Sequence, residues 1–236
     1  MGKTPTPRQQ ARERTVAEIL RIGREQLASE GAAALSLRAV ARELGVVSSA
    51  VYRYVASRDE LLTMLVVEAY TELGDRVDAA VEAAPGGPFE RFAALARAVR
   101  TWALAEPARY GLLFGSPVPG YHAPAERTTG PGIRVVARLL RILDEAWAAG
   151  GGPREESDVR RLPPRLAEDL ERIREEFGAA APAHVLARGV GVWSGLFGAV
   201  NFEVFGQYGA GTFTDPAELF ELTVRRLADE AGLPGQ

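Results

Sequence analysis

Residues 36–55 read Ser36-Leu-Arg-Ala-Val-Ala-Arg-Glu-Leu-Gly-Val-Val-Ser-Ser-Ala-Val-Tyr-Arg-Tyr-Val55. Ser36 suits the N-cap of a short helix running to Leu44, with Leu37, Val40, Ala41 and Leu44 on one face. Gly45 follows where the chain must turn tightly and adopt a positive φ. A second short helix runs from about Ser48 to Val55. Ala41 is small where that helix crosses, and Val40, Leu44, Val46 and Val51 are apolar where the two helices touch. Together these demands describe a helix-turn-helix. Its second helix presents Ser48, Ser49, Tyr52 and Arg53 outward, its amino-terminal end able to enter a major groove. Small residues early in that helix let the backbone approach the bases, and tyrosine hydroxyls suit phosphate oxygens.

Working outward, Val16, Ile19, Leu20, Gly23 and Leu27 recur at three- and four-residue steps, predicting an amphipathic helix from about Gln9 to Glu30 that stops at Gly31. On the other side, Ser57-Arg-Asp-Glu60 matches a capping box, in which the serine accepts from an early amide and Glu60 reaches back. It opens a helix from Arg58 to about Ala84, roughly 40 Å long at 1.5 Å per residue. Residues 1–58 carry ten basic and five acidic groups, a net of +5, whereas the whole chain is −3. The remaining residues therefore hold −8, so a basic head precedes an acidic body.

Proline and glycine punctuate the rest. Ala84-Pro-Gly-Gly-Pro88 ends the long helix. Helices are predicted over about Phe89–Ala105, Pro107–Phe114, Gly132–Ala149, Arg165–Phe177, Pro182–Tyr208 (Pro182 at N1) and, behind an Asp215 cap with Pro216 at N1, to about Ala231. Tyr121 and His122 fall in an irregular stretch, and 150–164 reads as a loop. No strand pattern or internal repeat is visible. The expectation is an all-α chain of about nine or ten helices, the first three forming a small separate unit.

Composition closes off other classes. The chain has 236 residues, 47% apolar and 25% charged, an ordinary globular balance. It has no cysteine, which excludes disulfides and thiolate chemistry, and only His122 and His184 could serve as imidazole ligands or bases. No metal site or cofactor is expected. No apolar run approaches the roughly 20 residues of a membrane span, and the polar amino terminus lacks a secretory pattern. A cytoplasmic chain without membrane association is the expectation. Gly191-Val-Trp-Ser-Gly195 is a near miss to a nucleophile elbow, but valine occupies a glycine position and the segment reads as mid-helix. No phosphate loop, zinc motif or carboxylate pair appears, so an enzyme is the remote alternative.

The stretch Arg14–Tyr70 resembles the amino-terminal domain of TetR-family transcriptional regulators. The likeness is carried by Leu27-Ala-Ser-Glu-Gly31, Ser36–Val46, Ala50-Val-Tyr-Arg-Tyr-Val55 and Ser57-Arg-Asp-Glu-Leu-Leu62. It implies a DNA-binding domain over residues 1–57, with the family-type match reaching about 73, and a helical ligand-binding and dimerisation domain over 58–236. It also implies that Ser36 and Arg38 touch backbone or a base edge and that Ser48, Ser49 and Ala50 face the groove. Tyr52 and Tyr54 would contact phosphates, with Arg53 beside them, and Arg58 would hold a phosphate where the family usually has lysine. Two departures stand out. Val47 occupies a frequent serine or threonine N-cap position, and Val55 replaces a usual phenylalanine.

Fifteen of the 18 aromatic residues lie at or after Phe89. Trp102, Tyr110, Phe114, Tyr121, Trp147, Trp193, Phe197 and Phe202 are candidates to line an apolar cavity or simply the core. Glu106–Tyr121 and Val192–Gly198 resemble the subgroup with a Trp-His-Gly signature, with Phe197 at the histidine position. Gly189, Gly191, Gly195 and Gly198 each cost about 1 kcal/mol inside a helix, and close helix packing is the natural compensation. The family likeness puts the last two long helices at a twofold interface. The functional expectation is a homodimer on a pseudo-palindromic DNA operator, acting as a repressor released by an apolar or amphipathic small molecule. An activator, or a regulator controlled by a protein partner, stays open on the same fold.

Overall fold

The computed structural model describes residues 6–150 and 162–233, and the fold is all-α. Eleven α-helices occur among the described residues: α1 (Pro7–Glu30), α2 (Leu37–Glu43), α3 (Ser48–Tyr52), α4 (Arg58–Ala83), α5 (Pro88–Ala105), α6 (Pro107–Phe114), α7 (Ala125–Gly132), α8 (Arg134–Ala148), α9 (Pro164–Phe177), α10 (Ala183–Val204) and α11 (Pro216–Glu230). A 3-10 turn, Ala32–Ala34, links α1 to α2. Most of the expected loop at 150–164 lies outside the described residues.

The chain divides into two compact units. The first takes residues 6–72 together with Glu106–Gly132, and the second takes 73–105 and the described residues from Ile133 onward. In the first unit, Ile19 and Ile22 of α1, Leu37, Val40 and Ala41 of α2, Val51 and Val55, and Leu61, Leu62 and Leu65 of α4 form one buried cluster. Leu112, Val118 and Tyr121 pack against it from the later segment, and the Tyr121 hydroxyl lies 3.1 Å from Thr63 Oγ1. Arg109 is buried at 5% exposure and faces carboxylates of Glu72 at 2.6 Å, Glu106 at 3.5 Å and Glu68 at 3.9 Å. Glu68 also accepts from Arg24 at 2.7 Å, which ties α1, α4 and α6 into one charge network.

Helix α7 is a structural addition to the stretch read as irregular. Gly130, Pro131 and Thr128-Thr129 argue against a helix on propensity. The segment is nevertheless helical, with Arg127 paired to Glu60 at 2.7 Å and Thr128 Oγ1 donating to the Pro124 carbonyl. At the start of α4, Ser57 Oγ accepts from the Glu60 amide at 3.0 Å, the first half of the expected capping box, while the Glu60 carboxylate pairs with Arg127. Pro182 sits at the N-cap of α10 rather than N1, and α10 ends at Val204, before Gly206 at φ +67°.

In the second unit, Phe92, Leu95, Val99 and Trp102 form the buried face of α5. They pack with buried residues of α8, α10 and α11. Helix α10 is long and apolar enough, by length and composition, to cross a membrane. The interspersed glycines and Arg188 masked that run in the sequence. Within the unit its buried residues, among them Val192, Leu196 and Val200, pack with α5, α8, α9 and α11. A Cβ at Gly189 would lie 2.7 Å from Leu143 Cδ1, and one at Gly195 2.7 Å from Leu227 Cδ2. Those two glycines therefore permit close approach of α8 and α11, offsetting their helix cost. Among the described residues, no other element comes within 4 Å of a Cβ at Gly198.

Arginine–carboxylate pairs fasten the second unit. Asp78 accepts from Arg134 and Arg138, each at 2.7 Å, joining α4 to α8. Bidentate pairs join Arg97 to Glu221 and Arg100 to Glu203. Partial burial pushes the Asp78 carboxyl up, but the bonds from Arg134 and Arg138 outweigh it and hold the group below its ordinary 3.8. A lowered native value means the folded state binds fewer protons, so the stability is complete above the ordinary value and is lost as pH falls through the native one. Asp78→Asn should therefore cost about 1–2 kcal/mol near neutral pH. The gap to the parent should close in acid, and urea unfolding at both pH values measures it.

Candidate nucleic-acid interface

Helices α2 and α3 are both too short to hold themselves, so caps and packing position the outward side chains. Ser36 Oγ accepts from the Ala39 amide at 3.3 Å, and the Ser36 amide donates to Gln26 Oε1 at 3.1 Å. The start of α2 is thereby anchored to α1. Gly45 adopts φ +66°, and the Val46 amide returns to the Ala41 carbonyl at 3.0 Å. At α3, Val47 occupies the N-cap and supplies no side-chain bond. That helix is instead fastened by Val51 and Val55, which are fully buried. The smaller Val55 still serves as a core residue.

Fastening from below leaves a distinct outer surface. Arg38, Ser49, Tyr52 and Arg53 are exposed, and Ser48, Ala50 and Tyr54 are half-buried. Among the described residues, Arg8, Arg14, Arg38, Arg42 and Arg53 have no carboxylate within ion-pair distance. By contrast Arg21, Arg24, Arg58, Arg109 and Arg127 of the same unit are all ion-paired. The unneutralised charge thus collects on the amino-terminal part of α1 and around α2 and α3. Arg58 is partly engaged: its Nη2 donates to the Ala32 and Ala33 carbonyls at 2.9 and 3.2 Å, closing the 3-10 turn. The Arg12 guanidinium lies over the Tyr54 ring at 5.4 Å from its centroid, a contact the sequence reading missed although Arg8 and Arg12 are spaced as helix neighbours.

The candidate cavity residues fall into separate groups. In the first unit Phe114 lies edge-on to Tyr70 and tilted against a fully buried Tyr110, while Tyr121 packs on the helix-turn-helix core. Burial pushes the phenols of Tyr70 and Tyr110 up. In the second unit Trp102 is buried in α5, Trp193 lies 4.2 Å from Phe197, and Phe202 packs against Tyr208. Trp147 is 36% exposed with His184 edge-on to it. Among the described residues no group of three potential ligands is placed to hold a metal.

Known proteins agree with this geometry. The chain matches the model for bacterial regulatory proteins of the tetR family over residues 19–65, and that for the tetracyclin repressor-like C-terminal domain over 92–227. It is 49% identical over 221 residues to the HTH-type transcriptional regulator Rv1816 of Mycobacterium tuberculosis, covering 93% of each chain, and equally to Mb1846 of Mycobacterium bovis. Among solved structures, regulatory protein SCO4313 is 36% identical with a TM-score of 0.77, covering 95% of this chain and 100% of that one. A protein of unknown function from Rhodococcus sp. RHA1 shares the fold at 23% identity and a TM-score of 0.69, covering 92% of this chain and 94% of that one. These similarities and the helix-turn-helix define a DNA-binding regulator of transcription. The chain belongs to the tetR family of bacterial regulatory proteins.

The turn is a sharp test of how the interface is built. Gly45→Ala places a side chain at φ +66° and should cost about 1–2 kcal/mol. Ser36→Ala, losing the cap, should cost about 1 kcal/mol. Chemical denaturation of each variant measures both, and an unchanged midpoint for Gly45→Ala would contradict the turn geometry.

Proposed function

We propose that the chain is a homodimeric repressor that grips a pseudo-palindromic operator through two copies of α2–α3 and releases it when an apolar or amphipathic small molecule binds. The observation that carries the DNA reading is the exposed set Arg38, Ser49, Tyr52 and Arg53, with no carboxylate of the described residues within ion-pair distance of the two arginines. Arg38 acts on a base edge or the backbone, Ser48, Ser49 and Ala50 line the groove, and Tyr52 and Tyr54 meet phosphates. Ser36, its hydroxyl already capping α2, contributes position, and Arg58 reaches a phosphate by giving up its 3.7 Å contact with the neighbouring Asp59.

A dimer is needed because one short helix offers little specific contact, whereas two spaced by about 34–36 Å read successive major grooves. Supporting that reading, Val190, Ser194 and Gly198 follow one another along one face of α10, and Phe205 caps the carboxyl end of that helix. Val190 and Phe205 are both exposed, at 53% and 44%, and Gly198 offers open space for a neighbouring helix. Effector release rests on family membership and the aromatic groups around Tyr110–Phe114 and Trp193–Phe197. Phe197 in place of the Trp-His-Gly histidine favours an apolar ligand. Helix α4, continuous from Arg58 to Ala83, is the mechanical link by which ligand binding shifts the population of DNA-competent dimers.

Arg38→Ala should lower duplex affinity and reduce the slope of log K against log salt by about 1 if the contact is to phosphate. It should relax preference at one base pair if the contact is to a base. Fluorescence anisotropy on promoter and random duplexes reads both, and unchanged binding would remove Arg38 from the interface. Val190→Glu combined with Phe205→Glu should convert the protein to monomer in sedimentation and weaken promoter binding. A persistent dimer would place the interface elsewhere.

A further inference from the structure

We infer that the amino-terminal end of α1, with Arg53, forms a phosphodiester clamp that holds the DNA backbone outside the major-groove contact. The inference rests on the DNA-binding reading above and adds a second surface to it. Thr6, Arg8, Gln9, Arg12, Arg53 and Tyr54 line a concavity of about 540 Å³ at the junction of α1 with the end of α3. Among the described residues no carboxylate lines it. Two neighbouring concavities on α1 do contain carboxylates, Glu18 in one and Glu13 and Glu68 in the other. Arg8, Arg12 and Arg53 are exposed. Arg12 is held over the Tyr54 ring, so part of its ordering cost is met before a ligand arrives.

Three guanidinium groups around one concavity repel each other until an anion with several acceptor oxygens enters. A phosphodiester offers that charge and those acceptors. The occupant is set by continuity. Arg53 caps α3 and Tyr54 follows it, so an anionic polymer engaged by α3 carries its own next phosphates to this concavity. Contacts of this kind fix register and orientation without reading bases. The clamp therefore supplies affinity and salt dependence, while α2 and α3 supply discrimination.

The test uses the full chain and arginine-selective modification by phenylglyoxal, read by peptide mass spectrometry, with and without a duplex long enough for two half-sites. Arg8 and Arg12 should be protected as strongly as Arg53, with no change at the exposed Arg141 of α8. Protection of Arg53 alone would overturn the clamp and leave the DNA-binding reading standing. If none of the three is protected and no duplex binding is seen, the DNA-binding reading itself fails. Equal protection by inorganic phosphate alone would indicate a free-anion site and also overturn the clamp. As a second measurement, Arg8→Gln with Arg12→Gln should reduce the salt slope by about 1–2 on promoter and random duplexes alike, since each phosphate contact contributes roughly 0.9. A slope equal to the parent's, with circular dichroism unchanged, would refute it.

Discussion

A helix of five residues has no stability of its own, and α3 has no side-chain cap to help it. It exists because Val51 and Val55 are buried against α1, α2 and α4. That one apolar attachment decides which side of α3 faces outward. It also explains why Val47 is tolerated at the N-cap: the roughly 1 kcal/mol that a cap contributes is small beside two fully buried valines. Everything outward on the helix, including Tyr52 and Arg53, inherits its orientation from those contacts.

Charge is sorted along with shape. In the first unit, arginines that bridge helices are paired: Arg24 with Glu68, Arg109 with Glu72, Arg127 with Glu60. Those on α2, α3 and the amino-terminal half of α1 have no such partner among the described residues. Pairing lets the structural arginines sit partly or wholly out of water, where an isolated charge would be costly. The unpaired ones stay solvated and available to an anionic polymer. An acidic chain can bind nucleic acid on this basis, because the potential that matters is local.

The second unit applies a different economy. Its longest apolar helix, α10, accepts glycines whose helix cost is offset where Leu143 and Leu227 fill the space a Cβ would take. Among the described residues Gly198 has no such partner. The same helix therefore has one face committed to its own unit and another on which Val190 and Ser194 are exposed and Gly198 leaves open space. Family membership, rather than the isolated fold, is the ground on which we propose that face as the dimer surface.

The helix-turn-helix was legible from residues alone because its determinants are local. Ser36 as cap, Ala41 as the small crossing residue, Gly45 as the turn and Val51 as the anchor lie within 16 residues and obey backbone and packing rules that need no distant partner. The helices with clear punctuation, such as Pro107–Phe114 and Asp215-capped α11, were legible for the same reason. Tertiary structure alone decided what depends on residues far apart in the chain. Helix α7 forms against its own propensity, with its Arg127 paired to Glu60, the residue expected to complete the capping box of α4. Arg58 spends donors on the Ala32 and Ala33 carbonyls, and Arg12 settles on Tyr54, through approaches that no spacing rule encodes. Local rules fix which residues begin, turn and end a helix; which charged group meets which partner is set only when the helices pack.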